Sequence, residues 1–168
     1  RAGVHLLLDM RETTEEDRAH LSAYFRRNVF PVLTPLAVDP AHPFPYISNL
    51  SISIAVFLRG ADGEERFARV KVPKILPRWV ALPGAHRLLP LEQLIGANLE
   101  SLFPGVEILS WHSFRITRNT DLQIDHDEAE DLLSLIQEEV RNRRFAEVSR
   151  LEVGAGTPTG LRQLLLAE

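Results

Sequence analysis

Five of the chain's eleven prolines fall between residues 31 and 49: Pro31, Pro35, Pro40, Pro43 and Pro45. Proline has no amide hydrogen to donate, fixes its own φ and pushes the residue before it out of helical space. Regular structure is therefore not expected to persist through this stretch. The same stretch holds Val32, Leu33, Leu36, Val38, Phe44 and Tyr46, so it is too apolar for a solvated linker. It reads as an ordered, packed loop, and long ordered loops often carry function.

On either side the periodicities are regular. Gly3 to Leu8 is a short apolar run that reads as a buried strand. Thr13 and Glu16 have the spacing of a helix-starting capping box, and Leu21, Tyr24, Phe25 and Asn28 then share a helical face that Pro31 ends. Ser51 to Leu58 alternates as a half-buried strand, Asp62-Gly63 marks a turn, and Glu65 to Val72 returns as the second strand of a hairpin. On that return strand Ala68, Val70 and Val72 line one face, and Phe67, Arg69 and Lys71 the other. Trp79 to Leu82 and Leu88-Leu89 are short strand candidates. Pro90 suits a first helical turn, followed by Leu91, Leu94, Ile95, Leu99 and Leu102 and closed by Pro104-Gly105. Val106 to Thr117 is a long strand. Ala129, Leu132, Leu133, Ile136 and Val140 predict a helix over 127–143, with acidic residues at its start and arginines at its end, as the helix dipole favours. Ala146 to Val153 is a last strand. Gly154 to Pro158 reads as a hinge, and Leu161 to Ala167 as a short amphipathic helix. The expected fold class is α/β in the α+β sense: a mixed sheet with a hairpin and helices packed on it. The expected division is one domain over 1–153, then hinge and helix over 154–168 leading toward a next domain.

Length and composition suit one globular domain: 168 residues, 45% hydrophobic and 25% charged. Without cysteine there can be no disulfide or thiolate metal site, which fits a cytoplasmic protein. No run approaches the length of a membrane helix. The first residue is Arg1 rather than Met, which suggests a piece of a longer chain. The net charge of −4 is unevenly spread: seven basic against three acidic residues between Arg59 and Arg87, and eight acidic against none between Asp121 and Glu139. Duplex nucleic acid would call for a basic balance, so it is not an expected partner.

Catalytic signatures are missing. The six histidines, His5, His20, His42, His86, His112 and His126, match no metal-binding pattern. There is no phosphate-binding loop and no nucleophile elbow, and the acidic run after Asp121 matches no calcium loop. The polar cluster most suited to a ligand is Arg115-Ile116-Thr117-Arg118-Asn119, where two guanidiniums could grip phosphate oxygens in bidentate fashion. In an ideal strand Arg115 and Arg118 face opposite ways, so one ligand can meet both only if the chain turns at Thr117. The alternative pairs them with the acidic start of the following helix. Arg69 and Lys71 could form a second anion patch or a solvated sheet face. His42, in Asp39-Pro40-Ala41-His42-Pro43-Phe44-Pro45, is either a loop histidine or a polar group aimed into a cleft.

Several of these segments together resemble one family. They are Tyr24-Phe25-Arg26 with Val29 to Pro45, Ser48-Asn49-Leu50-Ser51, Phe67 to Pro73, Leu91-Glu92 to Asn98-Leu99, Phe114 to Asn119 and Asp127 to Leu133. In order and with few gaps, they are similar to the middle, or head, domain of bacterial polyphosphate kinases. The resemblance implies a parent enzyme that reversibly moves the terminal phosphate of ATP onto inorganic polyphosphate through a phosphohistidine, with magnesium. It places that histidine and the metal ligands in other domains of the same chain, so no catalytic residue, metal ligand or cofactor is assigned here. It also implies an α/β fold similar to small phosphohistidine phosphatases, and a cytoplasmic homo-oligomer that is free or membrane-associated. The expected role is non-catalytic: dimer assembly, and lining of the polyphosphate path by Arg115 and Arg118 with His42, Arg69 and Lys71. The rival readings are a purely structural dimerisation module and a stand-alone phosphatase-like enzyme.

Overall fold

The computed structural model describes residues 3–38, 46–84, 86–119 and 148–166. They belong to two compact units, Arg1–Pro45 with Ile52–Ser113, and Tyr46–Ser51 with Phe114–Glu168. The predicted 127–143 helix, with Leu132, Leu133 and Ile136, lies outside the described residues, as does His42.

The first unit begins with β1 (His5–Leu6), which pairs in parallel with β6 (Arg87–Pro90); β6 pairs on its other side, antiparallel, with β5 (Trp79–Ala81). The expected buried strand is here an edge of two residues: Leu7 is buried, whereas Val4, Leu6 and Leu8 are exposed. An edge strand is paired on one side only, and alternate side chains point to opposite faces, so only one row can enter the core.

Helix α1 (Glu15–Tyr24) starts one residue later than its sequence suggests. The Thr13 hydroxyl donates to the Met10 carbonyl at 2.6 Å, which removes it as a cap. Thr14 takes that place: its Oγ1 accepts from the Asp17 amide at 3.2 Å, and Asp17 accepts from the Thr14 amide at 2.9 Å. Asp17 is fully buried and also receives Arg87 in a bidentate pair at 2.7 and 2.8 Å. Beyond Tyr24 the helix widens into a π turn over Phe25–Val29 and then tightens to a 3₁₀ turn over Phe30–Val32. The extra residue in a π turn shifts the inward face. Leu21, Phe25 and Val29 are therefore buried, and Asn28 is exposed and bonds the Tyr24 carbonyl. Pro31 does not stop the helical path; it sits in the first 3₁₀ turn, where a missing amide goes unnoticed.

The proline-rich stretch holds one strand that the proline count argues against, β2 (Pro35–Val38), antiparallel to β4 (Glu65–Lys71). Pro35 is its first residue, and β2 is an edge strand paired only with β4, so no ladder bond is lost where proline stands. Strand β3 (Ile52–Arg59) and β4 form the expected hairpin. Its turn closes with the Gly63 amide on the Gly60 carbonyl at 2.9 Å, and Gly63 has φ 80. Helix α2 (Leu91–Gly96) is shorter than its apolar pattern; a separate 3₁₀ turn carries Leu99–Ser101. Leu21, Phe25, Val29, Ile54, Val56, Val70, Leu89, Leu91, Leu94 and Ile95 form the centre of one apolar cluster. Gly96 allows the Trp111 ring to lie against α2: a Cβ there would stand 2.3 Å from the ring.

Strand β7 (Glu107–Arg118) begins in the first unit and, from Phe114 on, belongs to the second. In the second unit it pairs antiparallel with β8 (Val148–Val153). The Gly154–Thr157 turn, closed by the Thr157 amide on the Gly154 carbonyl at 3.0 Å, leads into α3 (Thr159–Leu166). The Arg162 guanidinium donates to the Thr157 and Ala155 carbonyls and ties this turn to the helix. Among the described residues of the unit, the apolar Ile47, Phe114, Ile116, Leu161 and Leu165 are buried.

Candidate functional site

The arginine cluster singled out by the sequence sits at the end of β7, where the register sorts its side chains by face. Phe114, Ile116 and Arg118 are buried; Arg115 and Thr117 between them are half-buried. The ladder has an irregularity between Thr117 and Arg118: Thr117 stands opposite Arg150 and Arg118 opposite Val148, so Ser149 has no direct partner position. Such a bulge could have turned Arg118 toward Arg115, but the alternation of burial continues through it. The two guanidiniums are not brought to one face.

Arg118 is 8% exposed and has several fixed neighbours. Its amide donates to Asn49 Oδ1 at 2.9 Å, its Nε donates to the Ile47 carbonyl at 3.1 Å, and its guanidinium carbon lies 4.8 Å from the centre of the Tyr46 ring. The guanidinium thus stacks on an aromatic face and satisfies a buried carbonyl, a role lysine could not copy with one point charge. The Ser48–Ser51 turn that presents Asn49 is closed by the Ser51 amide and hydroxyl on the Ser48 carbonyl, at 3.2 and 2.7 Å. Leu50, inside this turn, has φ 56, and its amide donates to the Ile116 carbonyl at 3.0 Å.

Arg115 lies on the more open face. Its Nε donates to Glu152 Oε2 at 2.5 Å, and Arg150 bonds the other oxygen of the same carboxylate at 3.0 Å. The Ser149 hydroxyl donates to the Thr117 carbonyl at 3.1 Å. Arg150 and Glu152 were not among the residues the sequence suggested. Strand β8 could be read from its pattern, but which of its residues face Arg115 depends on register, which the sequence does not carry.

Arg69 and Lys71 belong to the first unit, on β4. Arg69 stands opposite Ala55 on β3 and Leu36 on β2 and is only 3% exposed, so it is not part of a solvated sheet face. Burial penalises its charged form and lowers its pKa. Lys71 is half-buried opposite Ser53, whose hydroxyl is buried without a hydrogen bond. His112, in the part of β7 that belongs to the first unit, has a buried Nε2 without a hydrogen bond, and burial lowers its pKa. For Asp17 burial alone would raise the pKa, but the bonds from Thr14 and Arg87 outweigh it and hold the carboxyl below its usual range. Among the described residues no three His, Cys, Asp or Glu side chains come together to hold a metal. No described helix is long and apolar enough to cross a membrane.

These features define an α/β module that holds arginines on a strand pair and carries no metal cluster among its described residues. Residues 16–168 match the family described as polyphosphate kinase middle domain, and the chain belongs to that family. It is 55% identical to a polyphosphate kinase of Thermosynechococcus vestitus over 94% of the chain and 23% of that relative. It is 49% identical to one of Streptomyces coelicolor over 99% of the chain and 22% of that relative. The chain thus spans under a quarter of the length of these two relatives. A crystal structure of polyphosphate kinase from Porphyromonas gingivalis has the same fold, with a TM-score of 0.73 at 23% identity, over 97% of this chain and 23% of that one.

Proposed function

We propose that the chain serves as a non-catalytic middle domain of an enzyme that reversibly transfers the terminal phosphate of ATP to inorganic polyphosphate. The phosphorylated histidine and the magnesium of that reaction would be held by other domains of the same polypeptide. The part of this domain is to line the polyphosphate path and to take part in dimer assembly. The observation that carries the reading is Arg115: a guanidinium on the open face of a two-stranded ladder, in a chain of this family. A ladder fixed by backbone bonds presents such a charge without the entropy loss that ordering a loop would add. Arg118, tied to Tyr46, Ile47 and Asn49, would act by holding the end of β7 rather than by touching substrate. Arg69 and Lys71 would contribute field from within the first unit, and His42 a polar group from the proline-rich stretch.

One observation favours a second reading, a domain whose work is assembly alone: Val4, Leu6, Leu8 and Ile75 are exposed apolar residues of the first unit. Two experiments test the proposal, and the second separates the two readings. Incubated with ATP, magnesium and polyphosphate, the chain by itself should show neither turnover nor autophosphorylation; either one would overturn the non-catalytic assignment. In a full-length enzyme carrying this domain, Arg115→Ala should raise the KM for polyphosphate several-fold with assembly intact. An unchanged KM would leave the assembly reading standing.

A further inference from the structure

We infer that the outer edge of β5 is the surface on which a second copy of this chain pairs, strand to strand, about a twofold axis at Val80. The inference rests on the dimer-assembly reading above and adds to it the strand, the partner and the register.

Bonding within the three-stranded sheet shows what the edge offers. In an antiparallel pair, residues that exchange hydrogen bonds alternate with residues whose amide and carbonyl point away from the partner strand. The Leu82 amide donates to the Arg87 carbonyl at 3.0 Å, and the Leu91 amide to the Arg78 carbonyl at 2.7 Å. Val80, opposite Leu89 and midway between these bonds, therefore faces β6 as well. Trp79 and Ala81 turn their amides and carbonyls outward. Pro90, opposite Trp79, has no amide to donate, which a non-bonded position allows. Among the described strands β5 pairs with β6 alone, and among the described residues no hydrogen bond reaches the outward groups of Trp79 and Ala81. Both residues are exposed.

Edges are commonly blunted by a lysine, a proline or a bulge within the strand. None stands within Trp79–Ala81; two prolines bracket it instead. Pro77 and Pro83 lie three residues before and three after Val80, on outward positions of the same alternation, and neither has an amide hydrogen. The outward donors are therefore those of Trp79 and Ala81. Antiparallel pairing centred on Val80 sets Trp79 against Ala81 of the second copy, and the reverse. Each of these pairs exchanges two hydrogen bonds, so every outward donor and acceptor of the strand is used. Centring on Trp79 would set Ala81 opposite Pro77, and centring on Ala81 would set Trp79 opposite Pro83; in either case a carbonyl loses its donor.

The side chains suit the same register. Trp79 and Ala81 share the exposed face, and a large ring opposite a methyl group leaves room for both. The Trp79 ring lies beside the Arg78 guanidinium, whose carbon is 5.6 Å from the ring centre and which bonds Glu92 at 3.1 Å. On the other face Val80 is part of the apolar cluster, and at the axis it meets its own copy at the close spacing of a non-bonded pair. A contact of this kind is isologous and closes with two copies. Three paired residues bury less than the ~1,200 Å² of a standard interface, so the chain by itself should dimerise weakly. It spans under a quarter of the length of its relatives, so in a full-length enzyme other contacts can add area.

Sedimentation equilibrium of the 168-residue chain should show a monomer–dimer equilibrium, half-dimerised at about 0.1–1 mM. A mixture of isotope-labelled and unlabelled chain should give an intermolecular signal between the Val80 Hα protons of the two copies. Ala81→Pro removes an outward amide and spares the β6 ladder, so the melting temperature should hold while dimerisation weakens at least about ten-fold. Leu6→Ser, on the far edge of the same sheet, should change dimerisation by less than about two-fold. A chain that stays monomeric to about 1 mM, or a dimer without the Val80 signal, overturns the edge pairing. Should Ala81→Pro fail to fold, the Val80 signal of the unaltered chain decides. A dimer kept in Ala81→Pro but lost in Leu6→Ser overturns the pairing at β5 and leaves the assembly reading standing. In a full-length enzyme carrying this domain, slow exchange of the Trp79 and Ala81 amides in the monomer would mean that another segment of the same polypeptide holds the edge, and would overturn the pairing too. The assembly reading itself falls if that enzyme is monomeric.

Discussion

In the first unit Leu21, Phe25, Ile54, Val70, Leu89 and Leu94 meet in an apolar cluster, and the buried Asp17 is matched by Arg87. Among the described residues of the second unit, arginine does part of the fixing: Arg118 on Tyr46, Ile47 and Asn49, and Arg162 on the carbonyls of the Gly154–Thr157 turn. Apolar burial is nondirectional and scales with area, so it suits a unit with two sheets and a helix to cover them. Guanidinium bonds are directional, so they fix a chosen carbonyl or ring in place. The difference teaches that arginines three residues apart on one strand can have different settings: Arg118 is buried among fixed partners and Arg115 is half-buried.

The largest effect expected to sharpen this comparison is Phe25→Ala, which opens a cavity in the apolar cluster and should destabilise by ~3–5 kcal/mol in denaturant melts. A loss under about 1 kcal/mol would mean that the cluster does not carry the first unit.

Arg87→Met should follow, at about 2–4 kcal/mol, below the range for a fully enclosed pair because the Arg87 side chain is 31% exposed. The pair also sets a pH dependence. The folded carboxyl of Asp17 titrates below its ordinary value of 3.8, so the unfolded chain binds more protons in that window. Its contribution is therefore complete above about pH 4 and is lost as the pH falls through the lower folded value. Arg87→Met should shrink this acid-side loss. A melt series in which both proteins lose stability in parallel below pH 4 would remove Asp17 as the cause.

Gly96→Ala tests packing against propensity. Alanine is ordinarily the better helix residue by about 1 kcal/mol, yet its Cβ would collide with the Trp111 ring, so a net loss of ~1–3 kcal/mol is expected. A gain in melting temperature would show that the ring moves aside freely.

For the second unit, Arg118→Ala should destabilise by about 1–3 kcal/mol through the unsatisfied Ile47 carbonyl and the emptied face of Tyr46. Hydrogen exchange should quicken in β8 more than in β3; uniform acceleration would mean that the two units do not open separately. The smallest effect is expected at Leu50→Gly. Relief of the left-handed backbone at φ 56 opposes the loss of an exposed side chain and the gain of freedom in the unfolded chain, giving a change between zero and ~1 kcal/mol in favour. A clear loss would mean that the Leu50 side chain packs against something that matters.

What the sequence by itself determined were the elements that depend on local chemistry. The 52–72 hairpin is set by alternation and by Asp62-Gly63, where glycine meets the φ of 80 that the turn requires. The long β7 and the alternation of Phe114, Ile116 and Arg118 follow from period two, and the family was legible in motifs spread along the chain. Tertiary structure decided what depends on register and partners. Which threonine caps α1 turned on whether the Thr13 hydroxyl found the Met10 carbonyl. Pro35 could begin a strand because β2 is an edge. Period two puts Arg115 and Arg118 on opposite faces, but the partners of each lie far along the chain. Tyr46 and Asn49, some seventy residues earlier, take one into the scaffold, and Glu152, thirty-seven residues later, holds the other at the surface. A charge is fixed by covalent structure, but whether it is buried, paired or offered to a ligand depends on groups that only the folded chain brings within hydrogen-bonding distance.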